Sequence, residues 1–488
     1  MSKVVVIGGG IGGLASALLL SKKGHKVTLL EQYARVGGYA TAWKREGITV
    51  EGVLHEIDDI GEGSQKYELL KELGVVGVEY VQIPEFYRVI KNNLDFILPH
   101  DNPQEAIINK FPNEKDGIVK YFSTLKAIAC ELEMLMQPTL KTYLKMALFP
   151  LFFKNLVKYE KTTVQNFLDE CFTNEDIKFA VAANIGYYTD DPANLALVFF
   201  AIAQQSYYNG SGWFVKGGSQ KFSDAIANAI SQNGGDIITG ASVEKIITHN
   251  KKACGVTYTH KHEKFTMDCD YIMNNASPIW AIDAINDKSI IENVNVWKNA
   301  DMSPPTFVVY AILKGAKPKD NRTYSTMVFD GCERMDEVKK YLYDGFEKKP
   351  FGLADYGVID SGLSFEDKRL VMISTADSYE NWIKDENYEA KKDEAAKILI
   401  ERAAKIYPDI KEDLISYEAA TPLTNERYTK NPQGAIYGYA QSVNQSGRNR
   451  KKFAKILPNV INASAWGEIG GGYSGAFYNG IVAAGYVK

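Results

Sequence analysis

Residues 3–13 of this 488-residue chain read KVVVIGGGIGG, and this stretch decides the fold. A run of β-branched residues that ends at glycine predicts a short, buried parallel strand. The glycines that follow contain the spacing G-x-G-x-x-G at Gly8, Gly10 and Gly13. Gly8 permits a tight turn, Gly10 lets a pyrophosphate approach the backbone, and Gly13 lets the next helix pack closely on the strand. The stretch therefore predicts a dinucleotide-binding loop.

The residues after this loop complete a strand–helix–strand unit. A helix from about Ile11 to Lys23 would point its N-terminus, with free N–H groups and a partial positive charge, at the phosphates. Residues 25–31 read HKVTLLE, which predicts a second strand that ends at Glu31, 18 residues after Gly13. A carboxylate near this position accepts hydrogen bonds from ribose hydroxyls. A glycine turn that serves packing alone is the alternative, but the strand, helix and acid together favour the nucleotide.

A second glycine pair distinguishes between cofactors. Residues 32–39 read QYARVGGY, and a pair such as Gly37 and Gly38 is not part of the NAD pattern. The pair lets the backbone pass close to an extended flavin nucleotide, while Arg35 can offset pyrophosphate charge. Gly12 and Gln32 fall within the two loops and belong to the same predicted site. Together these residues predict FAD as the cofactor.

Composition and charge exclude several other classes of protein. The hydrophobic fraction of 45% and charged fraction of 24% are typical of a soluble globular protein. A net charge of -4 lacks the basic footprint of a nucleic-acid binder, so no nucleic-acid partner is expected. Five cysteines without a C-x-x-C pair favour reduced thiols in a cytoplasmic protein, and no metal site is expected. Residues 4–20 are uncharged, but their glycines divide them into a strand and a helix, which disfavours a signal peptide or membrane span.

The segment from Val4 to Tyr39 resembles the opening of the phytoene desaturase, carotenoid isomerase and retinol saturase group of flavoproteins, within the amine oxidase superfamily. Residues 47–55, GITVEGVLH, resemble the group's aromatic-acid-glycine-x-x-His signature, with Val50 in the aromatic position. The resemblance implies that this loop passes beside the flavin ring. His55 is therefore a candidate catalytic residue, and a structural hydrogen-bonding histidine is the alternative.

Motifs further along the chain extend this resemblance. Residues 213–220, WFVKGGSQ, resemble the Y-P-x-G-G-S segment of the group, with Val215 in the place of the usual proline. Residues 421–424 and 434–438 resemble its T-P-x-T and G-x-x-Y-G segments, which favour the isomerase and saturase branch. The resemblance also implies that Val243 sets its backbone against the adenine.

The C-terminal motif supplies the flavin end of the predicted site. Residues 464–477 read SAWGEIGGGYSGAF, and their glycines, among them Gly471 and Gly472, open a helix predicted from Gly475 to about Gly485. The N-terminus of this helix can face the flavin C2 carbonyl and stabilise the anionic reduced ring. Glu468, placed beside the ring by the resemblance, is a candidate acid or base. A solvent-facing carboxylate is the alternative.

The predicted fold class is α/β, with a Rossmann-like FAD-binding domain of three discontinuous segments and an inserted, mixed α+β substrate domain. Residues 1–80, 206–290 and 416–488 are expected to form the FAD-binding domain. Residues 81–205 and 291–415 are expected to form the substrate-binding domain.

Residues 139–167 combine lysines with leucines and phenylalanines around Pro150, which would interrupt a single long helix. This pattern suits a lid over an apolar substrate or a peripheral, reversible membrane contact. A helix packed in the core with a solvated lysine face is the alternative.

The resemblance implies hydride exchange between flavin N5 and a carbon–carbon bond of an apolar polyene or isoprenoid small molecule. Such a reaction would be a desaturation, a saturation or a cis–trans isomerisation, and the sequence names no electron donor or acceptor. A flavin amine oxidase, which would need an aromatic cage around the flavin, is one alternative. A non-catalytic flavin-binding protein is the other.

Overall fold

The computed structural model describes residues 1–136, 148–383 and 386–488. Its strands are β1 (Lys3–Ile7), β2 (Lys26–Glu31), β3 (Ala42–Arg45), β4 (Ile48–Glu51), β5 (Ile57–Asp58), β6 (Tyr80–Gln82), β7 (Glu85–Lys91), β8 (Leu94–Pro99), β9 (Gly212–Val215), β10 (Asp236–Thr239), β11 (Ala241–His249), β12 (Lys252–His260), β13 (Glu263–Asp268), β14 (Tyr271–Asn274), β15 (Thr306–Lys314), β16 (Ser325–Val328), β17 (Phe351–Asp355), β18 (Lys368–Ala376), β19 (Leu414–Ala420), β20 (Lys455–Leu457) and β21 (Val460–Asn462).

The helices are α1 (Ile11–Lys22), α2 (Gln65–Glu72), α3 (Pro103–Lys110), α4 (Lys115–Met136), α5 (Phe149–Phe152), α6 (Lys154–Tyr159), α7 (Val164–Cys171), α8 (Glu175–Ala182), α9 (Leu197–Gly210), α10 (Ser219–Gln232), α11 (Pro278–Ala284), α12 (Val294–Lys298), α13 (Tyr388–Ala404), α14 (Asp409–Glu412), α15 (Pro422–Thr429) and α16 (Gly472–Ala484). Short 3₁₀ helices span Pro112–Glu114, Ala183–Tyr187, Lys288–Ile290, Met335–Tyr343, Tyr379–Asn381, Pro432–Gly434, Val443–Gln445 and Gly447–Phe453.

A six-stranded sheet in the order β10-β2-β1-β14-β21-β20 forms one layer of the molecule. From β10 to β21 the neighbouring strands run parallel, and the edge strand β20 is antiparallel. The chain passes from β1 to β2 on one side, and β14 lies on the other side of β1, so the strand order reverses there. In open α/β sheets such a reversal leaves a crevice at the carboxyl ends of the strands where ligands bind. This sheet confirms the predicted Rossmann-like fold.

A seven-stranded, mostly antiparallel sheet in the order β19-β15-β18-β17-β16-β7-β8 forms the second layer. Its neighbouring strands β15 and β18 pair from Thr306 opposite Ala376 to Lys314 opposite Lys368. Strand β19 pairs with β15, so the domain boundary expected between residues 415 and 416 cuts through a strand of this sheet. The boundaries expected at 80/81 and 205/206 likewise fall inside β6 and α9. Strand pairing between distant parts of the chain, which local composition does not display, sets these positions.

The lysine-punctuated stretch is only partly described, since residues 137–147 lie outside the described residues. The described part forms three short helices, α5 to α7, and Pro150 lies in the first turn of α5. This position agrees with the expectation for proline, which is tolerated in the first turn of a helix but not in its interior. Within the described ranges, no helix combines the length and the apolar character needed to cross a bilayer.

Candidate active site

A cavity of about 1460 Å³ runs between the two sheets. One end is lined by residues at the carboxyl ends of β1, β2 and β14, and the other by residues of α9, β16, β17 and β18. Pockets for one drug-sized ligand measure about 300–1,000 Å³. The cavity is therefore large enough for a nucleotide cofactor and a second molecule.

The two glycine loops predicted from the sequence meet at the nucleotide end of this cavity. The backbone N–H of Gly37 donates to the Gly9 carbonyl oxygen at 2.8 Å. Gly37 and Gly38 have φ of +128° and +62°, which side chains with a Cβ rarely adopt. A Cβ on Gly38 would also come within 3.3 Å of the Gly10 Cα. The glycines thus serve both the conformation of the second loop and its close approach to the first.

Glu31 lies at the nucleotide end of the cavity, where two backbone N–H groups fix its carboxylate. Its Oε2 accepts from the Gly9 N–H at 2.7 Å, and its Oε1 accepts from the Tyr33 N–H at 2.8 Å. Burial raises the pKa of Glu31, and the backbone N–H groups of Tyr33 and Gly9 act in the opposite direction. A carboxylate fixed in this way can accept further hydrogen bonds from ribose hydroxyls, because each carboxylate oxygen has two acceptor positions.

Two helix N-termini open onto the cavity without a side-chain cap. Gly10 precedes α1 and Gly471 precedes α16, and both line the cavity. Free N–H groups and the helix dipole make such termini favourable for phosphate or for an electron-rich carbonyl. Gly472 has φ of +77°, and nothing lies within 4 Å of where its Cβ would be. Helix α16 begins at Gly472 rather than at the predicted Gly475, which brings this glycine into its first turn. These features fit the phosphates of FAD at α1 and its ring at α16.

The structure brings most of the predicted site residues to one cavity wall. The wall includes Gly8, Gly10, Gly12, Glu31, Gln32, Gly37, Gly38, His55, Val243, Glu468, Gly471 and Gly472.

Two predicted residues, Gly13 and Arg35, lie outside this wall. A Cβ on Gly13 would approach the Gly8 carbonyl oxygen to 2.2 Å, so Gly13 serves the close helix–strand packing that the motif predicts. Arg35 is exposed, and its Nη1 donates to the Ala42 carbonyl oxygen at 2.8 Å. The guanidinium is thus engaged by its own loop, and the phosphate contact expected for Arg35 stays a prediction.

The loop that carries His55 is fixed by a neighbouring acid. Glu51 accepts from both the N–H and the Oγ of Ser219 at 2.7 Å, and from the Leu54 N–H at 3.1 Å. Burial raises the pKa of Glu51 to about 6, against the opposing effect of the Ser219 bonds. The acidic signature and the glycine–glycine–serine segment, 168 residues apart, therefore bind each other directly.

His55 itself is partly buried at the cavity wall. Its ring packs edge-to-face on Tyr187, with centroids 5.9 Å apart. Its Nδ1 has no hydrogen-bond partner among the described residues. Burial lowers the pKa of His55 to about 4, so the imidazole is neutral at physiological pH.

Glu468 lies at the wall but is engaged by the C-terminal segment. Both of its carboxylate oxygens accept from the Tyr486 hydroxyl, at 3.0 and 3.1 Å. Burial and the nearby Glu468 raise the pKa of Tyr486 to about 12, so the phenol keeps its proton. The arrangement holds the carboxylate toward the end of the chain.

The T-P-x-T segment has a structural role at the start of α15. The Thr421 hydroxyl accepts from the Thr424 N–H at 3.3 Å, and the Thr424 hydroxyl accepts from the Thr421 N–H at 3.1 Å. This reciprocal pair is a capping box, with Pro422 in the first helical turn.

Among the wall residues that sequence reasoning missed, Asn275 and Glu56 are polar. Asn275 follows β14, and its Nδ2 lies 2.8 Å from the position that a Gly10 Cβ would occupy. Its place at the carboxyl end of a parallel strand beside β1 was the available signal. Glu56, next to His55, also lines the cavity, and the sequence offers no periodicity that marks it.

The far end of the cavity is mainly apolar. Its wall there includes Ile202, Met327, Phe329, Leu342, Phe351 and Met372. An apolar chamber joined to a polar nucleotide cradle can hold a hydrophobic substrate against a bound ring and keep water out.

A doubly wound nucleotide sheet joined to a second domain across such a cavity defines an FAD-dependent oxidoreductase. The chain belongs to the flavin containing amine oxidoreductase family, whose sequence profile matches residues 11–488. The match confirms the predicted FAD cofactor and the superfamily expected from the glycine motifs.

Proteins of known activity are similar to most of the chain. All-trans-retinol 13,14-reductase of Macaca fascicularis is 23% identical over 470 residues, which cover 89% of this chain and 77% of that protein. The chloroplastic prolycopene isomerase of Daucus carota is 26% identical over 464 residues, covering 89% and 71%. These relatives confirm the resemblance to the carotenoid isomerase and retinol saturase group.

Solved structures share the fold at low identity. An oxidoreductase from Methanosarcina mazei superposes with a TM-score of 0.62 at 18% identity and covers 98% of this chain and 99% of its own. A putrescine oxidase variant superposes with a TM-score of 0.66 at 14% identity, covering 99% and 98%. At these identities the comparison establishes the fold.

Proposed function

We propose that the protein reduces or isomerises a carbon–carbon double bond of an apolar polyene. The observation that supports this most strongly is the single cavity that joins the FAD cradle to an apolar chamber. The names of the retinol reductases and prolycopene isomerases among its relatives state that these proteins act on polyenes. The cavity and the relatives thus point to the same kind of substrate.

One set of cavity residues would hold the cofactor, and another set would form the chamber for the substrate. Glu31, the loop at Gly37 and Gly38, and the N-termini of α1 and α16 would hold FAD, which supplies hydride chemistry when bound. The apolar wall would align the polyene and exclude water, so that the reacting carbons are protected from side reactions. Val243, which lines the cavity at an irregular point of β11, would contact the adenine.

Anaerobic turnover tests the proposal. The purified yellow holoenzyme, reduced with dithionite, is mixed with all-trans-retinol or prolycopene, and the products are separated by chromatography. We expect one of these polyenes to give a saturated or isomerised product. In a separate aerobic assay of the oxidised holoenzyme, peroxide formed from amines, with both polyenes unchanged by the reduced enzyme, would establish the amine oxidase alternative. Reducible flavin without conversion of polyenes or amines would support the binding-protein alternative.

We propose that His55 acts as a neutral hydrogen-bonding group and that any acid–base role of Glu468 requires release from Tyr486. Because burial lowers the pKa of His55 to about 4, the unfolded chain binds a proton that the folded chain does not between pH 4 and 6.5. The contribution of the neutral His55 to the free energy of unfolding is thus fully present above pH 6.5, and it is lost as the pH falls toward 4.

Relative to a His55→Phe variant, the wild-type protein should lose about 2 kcal/mol of unfolding free energy between pH 6.5 and pH 5. Urea unfolding of both proteins at the two pH values measures this difference. The comparison with the variant removes the contributions of other titrating groups. Parallel pH dependence of the two proteins would show that folding does not lower the pKa of His55.

We also propose a cytoplasmic protein that makes a peripheral membrane contact through α5, α6 and their flanks. Leu148, Leu151, Phe152 and Val157 are 53%, 72%, 46% and 46% exposed. Exposed lysines accompany them at Lys154, Lys158 and Lys161. Exposed apolar side chains beside cations suit the surface of an anionic bilayer. The buried Phe153, Leu156 and Tyr159 show that the opposite side of the segment packs in the core, as in the other interpretation of this stretch.

This surface also lies close to the cavity. Glu131 of α4 accepts from the Leu156 N–H at 2.9 Å and from the Asn155 side chain at 2.7 Å. The next turn of α4 contributes Leu132 and Met134 to the cavity wall. An apolar substrate dissolved in a membrane would therefore reach the chamber by a short route.

A Leu151→Asp variant is expected to bind vesicles of phosphatidylcholine and phosphatidylglycerol about tenfold more weakly than the wild-type protein, because an exposed apolar side chain is replaced by an anion. Cosedimentation with vesicles measures the bound fraction. Val76→Asp is the matched control, since Val76 is 65% exposed on another surface. Equal binding of the wild-type protein and both variants would refute the contact.

A further inference from the structure

Glu56 is an acidic residue of the cavity wall that is not among the predicted FAD-binding residues. It follows His55, is 7% exposed and lines the cavity. In the part of the chain that the structure describes, neither of its carboxyl oxygens has a hydrogen-bond partner. Buried polar groups in proteins are nearly always hydrogen-bonded, and an exception calls for an explanation. A ligand that supplies the missing bonds is such an explanation.

Among the described residues no group meets the geometry of a hydrogen bond to the Glu56 carboxyl, and the Tyr187 hydroxyl is the neighbour that comes close enough to lower its pKa. The Oε2 of Glu56 lies against β9, where a Cβ on Gly212 would approach it to 1.9 Å. The nearby Tyr187 hydroxyl lies 3.5 Å from Ser325 Oγ. Burial raises the pKa of Glu56 to about 8, with Tyr187 acting in the opposite direction and Asp58 adding to the rise. The carboxyl is therefore protonated at neutral pH and offers one O–H donor and one carbonyl acceptor.

The neighbouring acid Asp58 provides a contrast. Its oxygens accept from Lys66 Nζ at 2.8 Å and from Ser474 Oγ at 2.6 Å, and a further bond comes from Ser206. Asp58 is thus fully engaged in linking α2, α9 and α16. Glu56, two residues earlier, has no bond to break if its side chain rotates into the cavity.

We propose that Glu56 binds a terminal hydroxyl group of the polyene and so selects a polyene alcohol over a hydrocarbon polyene. The proposal rests on the proposed function and names the substrate class for that site. A protonated carboxyl donates to the hydroxyl oxygen and accepts from the hydroxyl hydrogen, which makes two complementary bonds. A hydrocarbon forms neither bond. A site built to bind a hydroxyl discriminates strongly against the analogue that lacks it.

Binding of two matched probes to the oxidised holoenzyme tests the proposal. The probes are all-trans-retinol and its deoxy analogue, which has the same polyene chain without the hydroxyl. Energy transfer from tryptophan to the polyene gives the Kd of each probe without turnover. We expect the wild-type protein to bind retinol about tenfold more tightly than the analogue.

Variants assign this preference to one side chain. Glu56→Leu should bind the two probes equally, through weaker binding of retinol. Glu56→Gln keeps a donor and an acceptor and should retain the preference. Tyr187→Phe removes the hydroxyl that lowers the pKa of Glu56 and should also retain the preference. Flavin absorbance confirms that each variant holds FAD.

Equal affinity of the wild-type protein for the two probes, or failure to bind retinol, overturns the assignment without any variant. A preference that survives Glu56→Leu overturns it as well. These outcomes are distinct from failure of the proposed function, which would appear as no conversion of any polyene by the reduced enzyme.

Discussion

Replacing Gly12 with alanine is expected to yield a protein that no longer retains FAD. A Cβ on Gly12 would lie 2.0 Å from the Ala463 carbonyl oxygen and 2.9 Å from Asn275 Oδ1. The first of these atoms belongs to the backbone just after β21, so it cannot move aside as a side chain would. Helix α1 would have to shift away from the carboxyl ends of the strands. Its N-terminus, which lines the nucleotide end of the cavity, would then no longer point at the phosphates.

The measurements for this variant are flavin content after purification and the midpoint of urea unfolding. Besides the loss of yellow colour, we expect a destabilisation of about 3 kcal/mol, the upper part of the range for over-packing. Gly186→Ala is the matched control, because Gly186 also lines the cavity and nothing lies within 4 Å of its added Cβ. A Gly12→Ala protein that retains FAD as the wild type does would refute this account of α1.

Removing the carboxylate of Asp409 is expected to destabilise the protein by about 3–5 kcal/mol. Asp409 accepts from Arg322 Nη2 at 2.6 Å and from Arg369 Nη2. Arg369 is also 3.4 Å from Asp355 Oδ2, and the four side chains are at most 5% exposed. An Asp409→Ala variant leaves two buried guanidinium groups with one buried carboxylate, Asp355, and with the half-exposed Asp320 at Arg322. A buried charge that is not fully compensated is strongly unfavourable.

Urea unfolding followed by circular dichroism measures this effect. The control is Lys288→Ala, which breaks an exposed ion pair with Asp283 of 2.9 Å, both partners being more than half exposed. Exposed pairs contribute roughly 0–1 kcal/mol, so the control should lie close to the wild type. If Asp409→Ala and Lys288→Ala have the same stability, the buried cluster does not stabilise the second sheet.

The sequence predictions were accurate for features that depend on interactions between residues close together in the chain. Strands β1 and β2, helix α1 and the loop at Gly37 and Gly38 were predictable, because tight turns and positive φ angles restrict the residues within a few positions. The start of α16 was placed three residues late, because several consecutive glycines leave the first helical turn undefined by local preference.

The sequence by itself determined the dinucleotide loop, the second glycine pair and the acid at Glu31, which together specify FAD. Only the tertiary structure decided that Glu51 binds Ser219, that Arg35 bonds to its own loop and that Glu56 lines the cavity without a partner. The physical reason is that backbone geometry acts between near neighbours in the chain. Burial and hydrogen bonding depend on segments that meet only after folding.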